Sequence, residues 1–307
     1  MKVEFIIDIA EVFKKKLFLI VRFIMSGKIR LLILGLTSCL FIGCAVNPIT
    51  GQEELMFISE KQDLEIGQKY APEIEKQLGG KIDDESLQNY IDSVGQRIAR
   101  ISHRPNWEFH FTAVEHKMVN AFALPGGHIF VTKGMLKKLT TEAQLAALLA
   151  HEIVHITARH SSAAFSRQMG LSFVLFGLSA AGAKIPQDAS RAAGIALQLI
   201  GLKYSRVQEK QADVAGLDYM VAAGYNPHGA VELHQMLQEQ DKVRPVEFLS
   251  SHPSPKNRII SLNARIQTRY DSPEGLRIGK NAYRTTVLDR LPSIVDPASD
   301  GLDHLTN

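Results

Sequence analysis

Apolar residues recur every three or four positions through Ser59–Leu78 and again through Asp84–Ile101, the spacing of helices that lay one stripe on a core. Ser59 and Asp84 stand where N-caps belong, and Leu78-Gly79-Gly80-Lys81 separates the two stretches. The period then shortens to two. Trp107–Val114 alternates apolar and polar positions, and Val119–Gly134 reads as two strands around Pro125-Gly126-Gly127, so a small three-stranded sheet is expected. From Thr140 the pattern is helical again. That stretch opens on Thr140 or Thr141 as cap, with Glu142 in the first turn, where a carboxylate meets the positive end of the helix dipole. Further helices are expected at Arg206–Ala223, Pro227–Gln240 and Pro255–Thr268, and the tail from Asp271 is weakly patterned. The sum is a mostly helical α+β chain.

Several apolar stretches fall outside this amphipathic plan. Leu31–Gly43 follows Lys28 and Arg30 and has the length of a signal-peptide core, short for a membrane span. It ends in Gly43-Cys44, which resembles a bacterial lipobox with Phe41 in place of the usual leucine; residues 1–43 then read as a leader and Cys44 as the site of lipidation. Ala45 after the cysteine resembles the pattern sorted to the outer membrane. A second apolar stretch, Leu17–Met25, leaves open an uncleaved anchor in the inner membrane facing the periplasm, and Met25 could itself open a conventional leader. Met169–Ala183 is apolar but also too short to span, and reads as a buried core helix, a flap over a cleft or a lipid-facing segment. After a break at Lys184–Ser190, Arg191–Leu202 reads as another apolar helix.

Composition changes this picture in two places. The formal net charge of +3 is a property of the leader, because seven basic and three acidic side chains lie in the first thirty residues. The remainder is near neutral, so no basic field for nucleic acid exists and no nucleic-acid partner is expected. Cys39 and Cys44 are the only cysteines, which leaves a mature chain without a disulfide or a free catalytic thiol.

The chemistry sits in the helix that starts at Thr140. At about 100° per residue, positions four apart share a face, so His151 and His155 project together and their ring nitrogens can reach one ion. Glu152 lies one step around, beside the ion, where a carboxylate takes a proton from an attacking water. His-Glu-x-x-His is thus two ligands and a general base, here on an apolar helix where unpaired polar groups would be costly. His160 projects about 140° from His155 on a continuous helix and reads as a surface histidine, so a third ligand must come from elsewhere. Acids are scarce downstream: Asp188 is the only one between Ile156 and Gln208. Glu209, with Asp213 four residues on, can supply a ligand and an acceptor for an imidazole N–H; on spacing alone the pair equally fits a charged surface with Arg206 and Lys210.

"HEIVH" together with "SRVQEKQAD" resembles the gluzincin metallopeptidases that include the HtpX-type heat-shock protease and the type 1 CAAX prenyl protease. The leader and "NPITGQEELMFIS" look most like their periplasmic lipoprotein branch, that of the beta-barrel assembly-enhancing protease. "NAFALPGGHIFVTKG" is similar to the strand pair before the family's zinc helix, and "SHPSPKNR" to its histidine-proline segment. The resemblance implies a zincin-like fold with the small sheet packed on the active-site helix. It implies one Zn2+ per chain held by His151, His155 and Glu209, with Glu152 as general base and Asp213 supporting a ligand. His252 maps onto a position able to stabilise an oxyanion or to fill the ion's open site at rest, and Arg258 onto a structural or carbonyl-binding arginine. Substrate would add to the edge of a strand, at Asn120, Ala121, Phe122 and Ala123 or at His128–Val131. The expected organisation is a leader at 1–43, a linker at 44–58, a zinc metallopeptidase domain at 59–270 and a tail at 271–307 packed on or extending it. The expected partners are unfolded or misassembled envelope polypeptides and a membrane reached through a lipid on Cys44; no signature of oligomeric state is present. The competing expectation is a periplasmic chaperone or scaffold lipoprotein whose zinc site is latent or covered.

Overall fold

A computed structural model describes residues 44–167, 201–243, 245–252, 257–270 and 274–291. The leader, Met169–Ala183 and nearly all of Arg191–Leu202 lie outside them. The chain divides into two units, Met1–Ala45 and Val46–Asn307, and Cys44 opens a short strand β1 (Cys44–Val46) at their junction. Among the described residues no helix is long and apolar enough to cross a membrane.

The second unit begins with a short strand β2 (Glu53–Leu55) and two capped helices. Ser59 opens α1 (Glu60–Gln77) with a reciprocal cap to Gln62, and the Asp84 carboxylate accepts the Leu87 N–H to open α2 (Glu85–Ala99). Three strands follow: β3 (His110–Val114), β4 (Ala121–Ala123) and β5 (His128–Thr132). β5 is central, antiparallel to its hairpin partner β4 and parallel to β3. At the β4–β5 turn Gly127 holds φ 100°, and a Cβ there would sit 2.1 Å from Glu108 O, so only glycine fits. Alternation along the strands serves two cores. Ala121, Ala123, Ile129 and Val131 face α2 and the helix bearing His151, while Phe122, Leu124 and Phe130 pack under Ala71 and Ile74 of α1.

After the one-turn helix α3 (Lys133–Leu136) comes α4 (Glu142–Thr157), opened by Thr141, whose hydroxyl accepts the Gln144 N–H. Every residue of α4 is buried, among α2, β4, α5 (Arg206–Ala222) and α6 (His228–Val243). α5 lies especially close, because a Cβ on Gly216 would stand only 3.2 Å from His151 N. The chain ends in α7 (Glu247–Ser251), α8 (Asn257–Arg269) and α9 (Lys280–Tyr283), which continues into a wide turn at Arg284–Leu288.

Both ends of α4 are tied down. At its N-terminus the buried Glu142 accepts hydrogen bonds from Tyr90 Oη (2.9 Å), Tyr225 Oη (3.0 Å) and Arg277 Nη1 (2.9 Å), and Ala143 N donates to Ile278 O. At its C-terminus Arg159 adopts φ 55° and ends the helix. Its guanidinium donates to Asp63 Oδ2 and to Ile58 O, both at 2.6 Å, and Ser162 Oγ donates to Asp63 Oδ1 at 2.6 Å. A helical stretch then restarts at 160–167.

Candidate metal centre

Four donors converge beside α4. His151 Nε2 and His155 Nε2 stand 3.1 Å apart. Glu209, in the first turn of α5, brings Oε2 to 3.5 Å from His151 Nε2 and Oε1 to 3.5 Å from His155 Nε2. His252, at the end of α7, places Nδ1 3.2 Å from His151 Nε2 and 3.0 Å from Glu209 Oε1. Four tetrahedral donors at the roughly 2.0–2.1 Å of zinc bonds stand about 3.3 Å from one another. Five of the donor contacts, at 3.0–3.5 Å, are close to that spacing, and all four donor atoms lie within 4.8 Å of one another. Three imidazole nitrogens and a carboxylate turned on one buried point are mutually facing lone pairs, a costly arrangement unless a cation lies among them. The donor set fits zinc.

Around it the polar groups are matched by charge. Asp213 Oδ1 lies 3.2 Å from His151 Nδ1, fixing which nitrogen of that ring faces the cluster. Arg258 binds both carboxylates: its Nε donates to Asp213 Oδ2 at 2.6 Å, Nη2 to Asp213 Oδ1, and Nη1 sits 2.9 Å from Glu209 Oε2. Burial opposes ionisation of Asp213 and Glu209, but neighbouring imidazoles outweigh it, with Arg258 adding to the pull on Asp213, and both carboxyls are held below the usual carboxylate range. Burial opposes a charge on His151, but the Asp213 and Glu209 carboxylates outweigh it and lift that ring to about 9. Glu152 differs. It is fully buried, neither oxygen has a hydrogen-bond partner among the described residues, and burial pushes its carboxyl up despite His252 Nε2 at 3.7 Å.

With this geometry in place, comparison with known proteins identifies the lineage. The model of peptidase family M48 matches residues 85–266. The chain belongs to peptidase family M48. Among M48 relatives it is 30% identical over 221 residues to the "Beta-barrel assembly-enhancing protease" of Escherichia coli K12, covering 68% of this chain and 44% of that protein. It is 35% identical over 176 residues to "Mitochondrial metalloendopeptidase OMA1" of Schizosaccharomyces pombe, covering 55% of this chain and 50% of that one. With the Bos taurus "Metalloendopeptidase OMA1, mitochondrial" it shares 27% identity over 258 residues, 78% of this chain and 48% of the relative. The chain thus spans half or less of the length of these relatives.

Of the residues singled out in the sequence of this M48 chain, His151, Glu152, His155, Glu209, Asp213, His252 and Arg258 come together. Asn120–Ala123 lie alongside α4 on the sheet edge, whereas His128–Val131 form the central strand and have no free edge. Cys44 is the first residue of β1. One reading is corrected. His160 is fully buried, not on the surface, with Nδ1 3.0 Å from His155 Nδ1. The projection assumed a continuous helix, and the left-handed Arg159 breaks it and swings His160 back beneath the ligand. Sequence reasoning also passed over Tyr204, whose ring lies 3.8 Å from that of His155 and whose hydroxyl pairs with Ser161 Oγ at 2.8 Å. Phe248 stacks on His252, and Gln211 contacts His160 Nε2 at 2.8 Å. The one available signal was that Gln211 lies between Glu209 and Asp213 on α5.

Proposed function

We propose that this chain is a zinc-dependent endopeptidase whose ion is held by His151, His155 and Glu209. The observation that carries the reading is the convergence of four buried donors within 4.8 Å of one another, with Glu152, a carboxylate that makes no hydrogen bond among the described residues, beside them. Zinc there supplies a Lewis acid that polarises the scissile carbonyl and acidifies water. Glu152 accepts the proton of the attacking water and delivers it to the leaving amine. A carboxyl with its affinity for protons raised by burial suits both halves of that transfer. Asp213 and Arg258 keep the ligands ionised and oriented. Substrate backbone would add to the outer edge of β4, where Ala121 and Ala123 turn their main-chain groups away from β5. Such pairing reads extended main chain and not side-chain identity, which suits unfolded polypeptides.

His252 gives the site a resting form. A catalytic zinc keeps one position open, and His252 Nδ1, close to both His151 and Glu209, would be able to occupy it. The side chain must withdraw before substrate can approach, and its Nε2 could then serve a developing oxyanion. This closure also favours the second reading, a scaffold or chaperone with a covered site. For location, we propose a lipoprotein of the bacterial envelope, held at the periplasmic face of the outer membrane through Cys44, with inner-membrane anchoring as the alternative. The lipobox-like Gly43-Cys44 and the similarity to proteins named for beta-barrel assembly support it. Misfolded or unassembled envelope proteins are the corresponding substrates.

Glu152→Gln tests the core of the proposal. The variant is expected to retain zinc at one ion per chain by elemental analysis and to lose casein cleavage by at least about a hundredfold, the lower end of general-base contributions. Cleavage at the wild-type rate by this variant refutes the assignment of the base. Restoration of growth under envelope stress by the inactive variant favours the scaffold.

A further inference from the structure

We infer that His160 and Gln211, oriented by Asn47, form a directed hydrogen-bond relay that sets the tautomer of His155 and with it the affinity of the site for its ion. This rests on the metal-site reading above and extends it to residues outside the ligand set.

His155 turns Nε2 toward the other donors and Nδ1 toward His160. A ring nitrogen that ligates must offer its lone pair, so the proton of a neutral His155 belongs on Nδ1. That proton points at His160 Nδ1, 3.0 Å away, which must therefore accept. His160 in turn carries its proton on Nε2, 2.8 Å from Gln211 Oε1, an acceptor. Asn47 Nδ2 approaches the same oxygen at 3.4 Å and Glu54 Oε1 at 2.7 Å, so both of its protons are used and the Gln211 amide is oriented oxygen-first. Each group donates in the order His155, His160, Gln211. Reversing any link puts two N–H groups head to head or leaves His155 with a proton where it must bind metal. His155 and His160 are fully buried, so the bond between the two rings is shielded from water.

The two imidazole ligands are thereby held differently. His151 leans on the ionised Asp213, whereas His155 leans on a neutral ring. A neutral acceptor fixes the tautomer without pushing negative charge onto the ligand, so the ion keeps more of its electrophilicity.

Gln211 is only half-buried, so it can be changed without emptying a core. The test compares full-length wild type, Gln211→Leu, Gln211→Glu and Asn47→Ala for zinc dissociation constant by competition with a chromophoric chelator. Visible spectra of the Co2+-loaded proteins supply a second readout. Gln211→Leu removes the acceptor and is expected to weaken zinc about tenfold and to shift the Co2+ bands. Gln211→Glu keeps an oxygen in place and should bind zinc as wild type does or more tightly, with Asn47→Ala falling between wild type and the leucine variant. Wild-type affinity and spectrum in Gln211→Leu, or equal losses in the leucine and glutamate variants, overturns the relay alone. A wild-type chain that takes up no zinc overturns the metal-site reading and the relay with it.

Discussion

Removing the Asp63 carboxylate is expected to destabilise the fold far more than a change at an ordinary helix position, through the helix that bears His151 and His155. Asp63 is 1% exposed and Arg159 5% exposed. In Asp63→Ala the Arg159 guanidinium keeps its bond to Ile58 O but loses its counter-charge, and Ser162 loses its acceptor. Breaking a buried pair from one side costs about 3–5 kcal/mol, to which the hydroxyl contributes roughly 1 kcal/mol more. At about 2–4 °C per kcal/mol for a domain of this size, the melting temperature should fall by roughly 8–24 °C. The cost arises from the orphaned charge, not from the net worth of the pair: burial raises the Asp63 pKa even against the pull of Arg159 and Ser162. Asp63→Ala combined with Arg159→Met, which keeps the aliphatic stem without the charge, should therefore return to within about 2 kcal/mol of wild type. Urea unfolding of metal-free protein, followed by far-ultraviolet circular dichroism and by the single tryptophan, Trp107, measures both. A loss below about 1 kcal/mol for Asp63→Ala, or a double variant worse than the single, refutes the reasoning.

Two further expectations follow from close contacts and from burial. Gly216→Ala places a methyl 3.2 Å from His151 N, so α5 must shift by a few tenths of an ångström relative to α4. The helix-propensity gain of about 1 kcal/mol offsets the strain, leaving stability near wild type while zinc affinity drops several-fold; unchanged affinity by chelator competition would show that this spacing does not set Glu209. His128 is lowered to about 4 by burial and by His110 beside it, so the folded protein refuses a proton that the unfolded chain accepts below about 6.5. Its contribution is complete above pH 6.5 and is lost as pH falls toward 4, amounting to about 1–2 kcal/mol after solvent screening of a half-exposed ring. Denaturation midpoints of His128→Gln should be correspondingly flatter over that window, and an unchanged slope would exclude His128 as the acid-sensitive group.

What could be read in the chain was local. Ser59, Asp84 and Thr141 all cap as their chemistry dictates, and the His151–His155 face follows from helical geometry alone. Glu209 was reachable because acids are so sparse before it. The parallel docking of β3 against β5 was not, since the strands on either side of the turn are neighbours in sequence while β3 finds its place by packing. His160 was hidden for a sharper reason. One backbone torsion, the φ of 55° at Arg159, decides whether that ring meets water or His155, and nothing in the type of residue 159 announces a left-handed conformation. The approach of His252 likewise depends on α7, a five-residue helix with too little periodicity to be seen.

The fixing of α4 at both ends carries a mechanical implication. Glu142 is gripped by Tyr90, Tyr225 and Arg277, and Arg159 by Asp63, so sliding or rolling the rod that bears the histidine pair would break buried bonds at both ends. If the centre is gated as proposed, the displacement would fall to the short α7 with His252 at its end, because α4 is anchored at both of its ends. On that reading, holding the ion and admitting a polypeptide would fall largely to separate parts of the molecule, so that one could be altered with little change in the other.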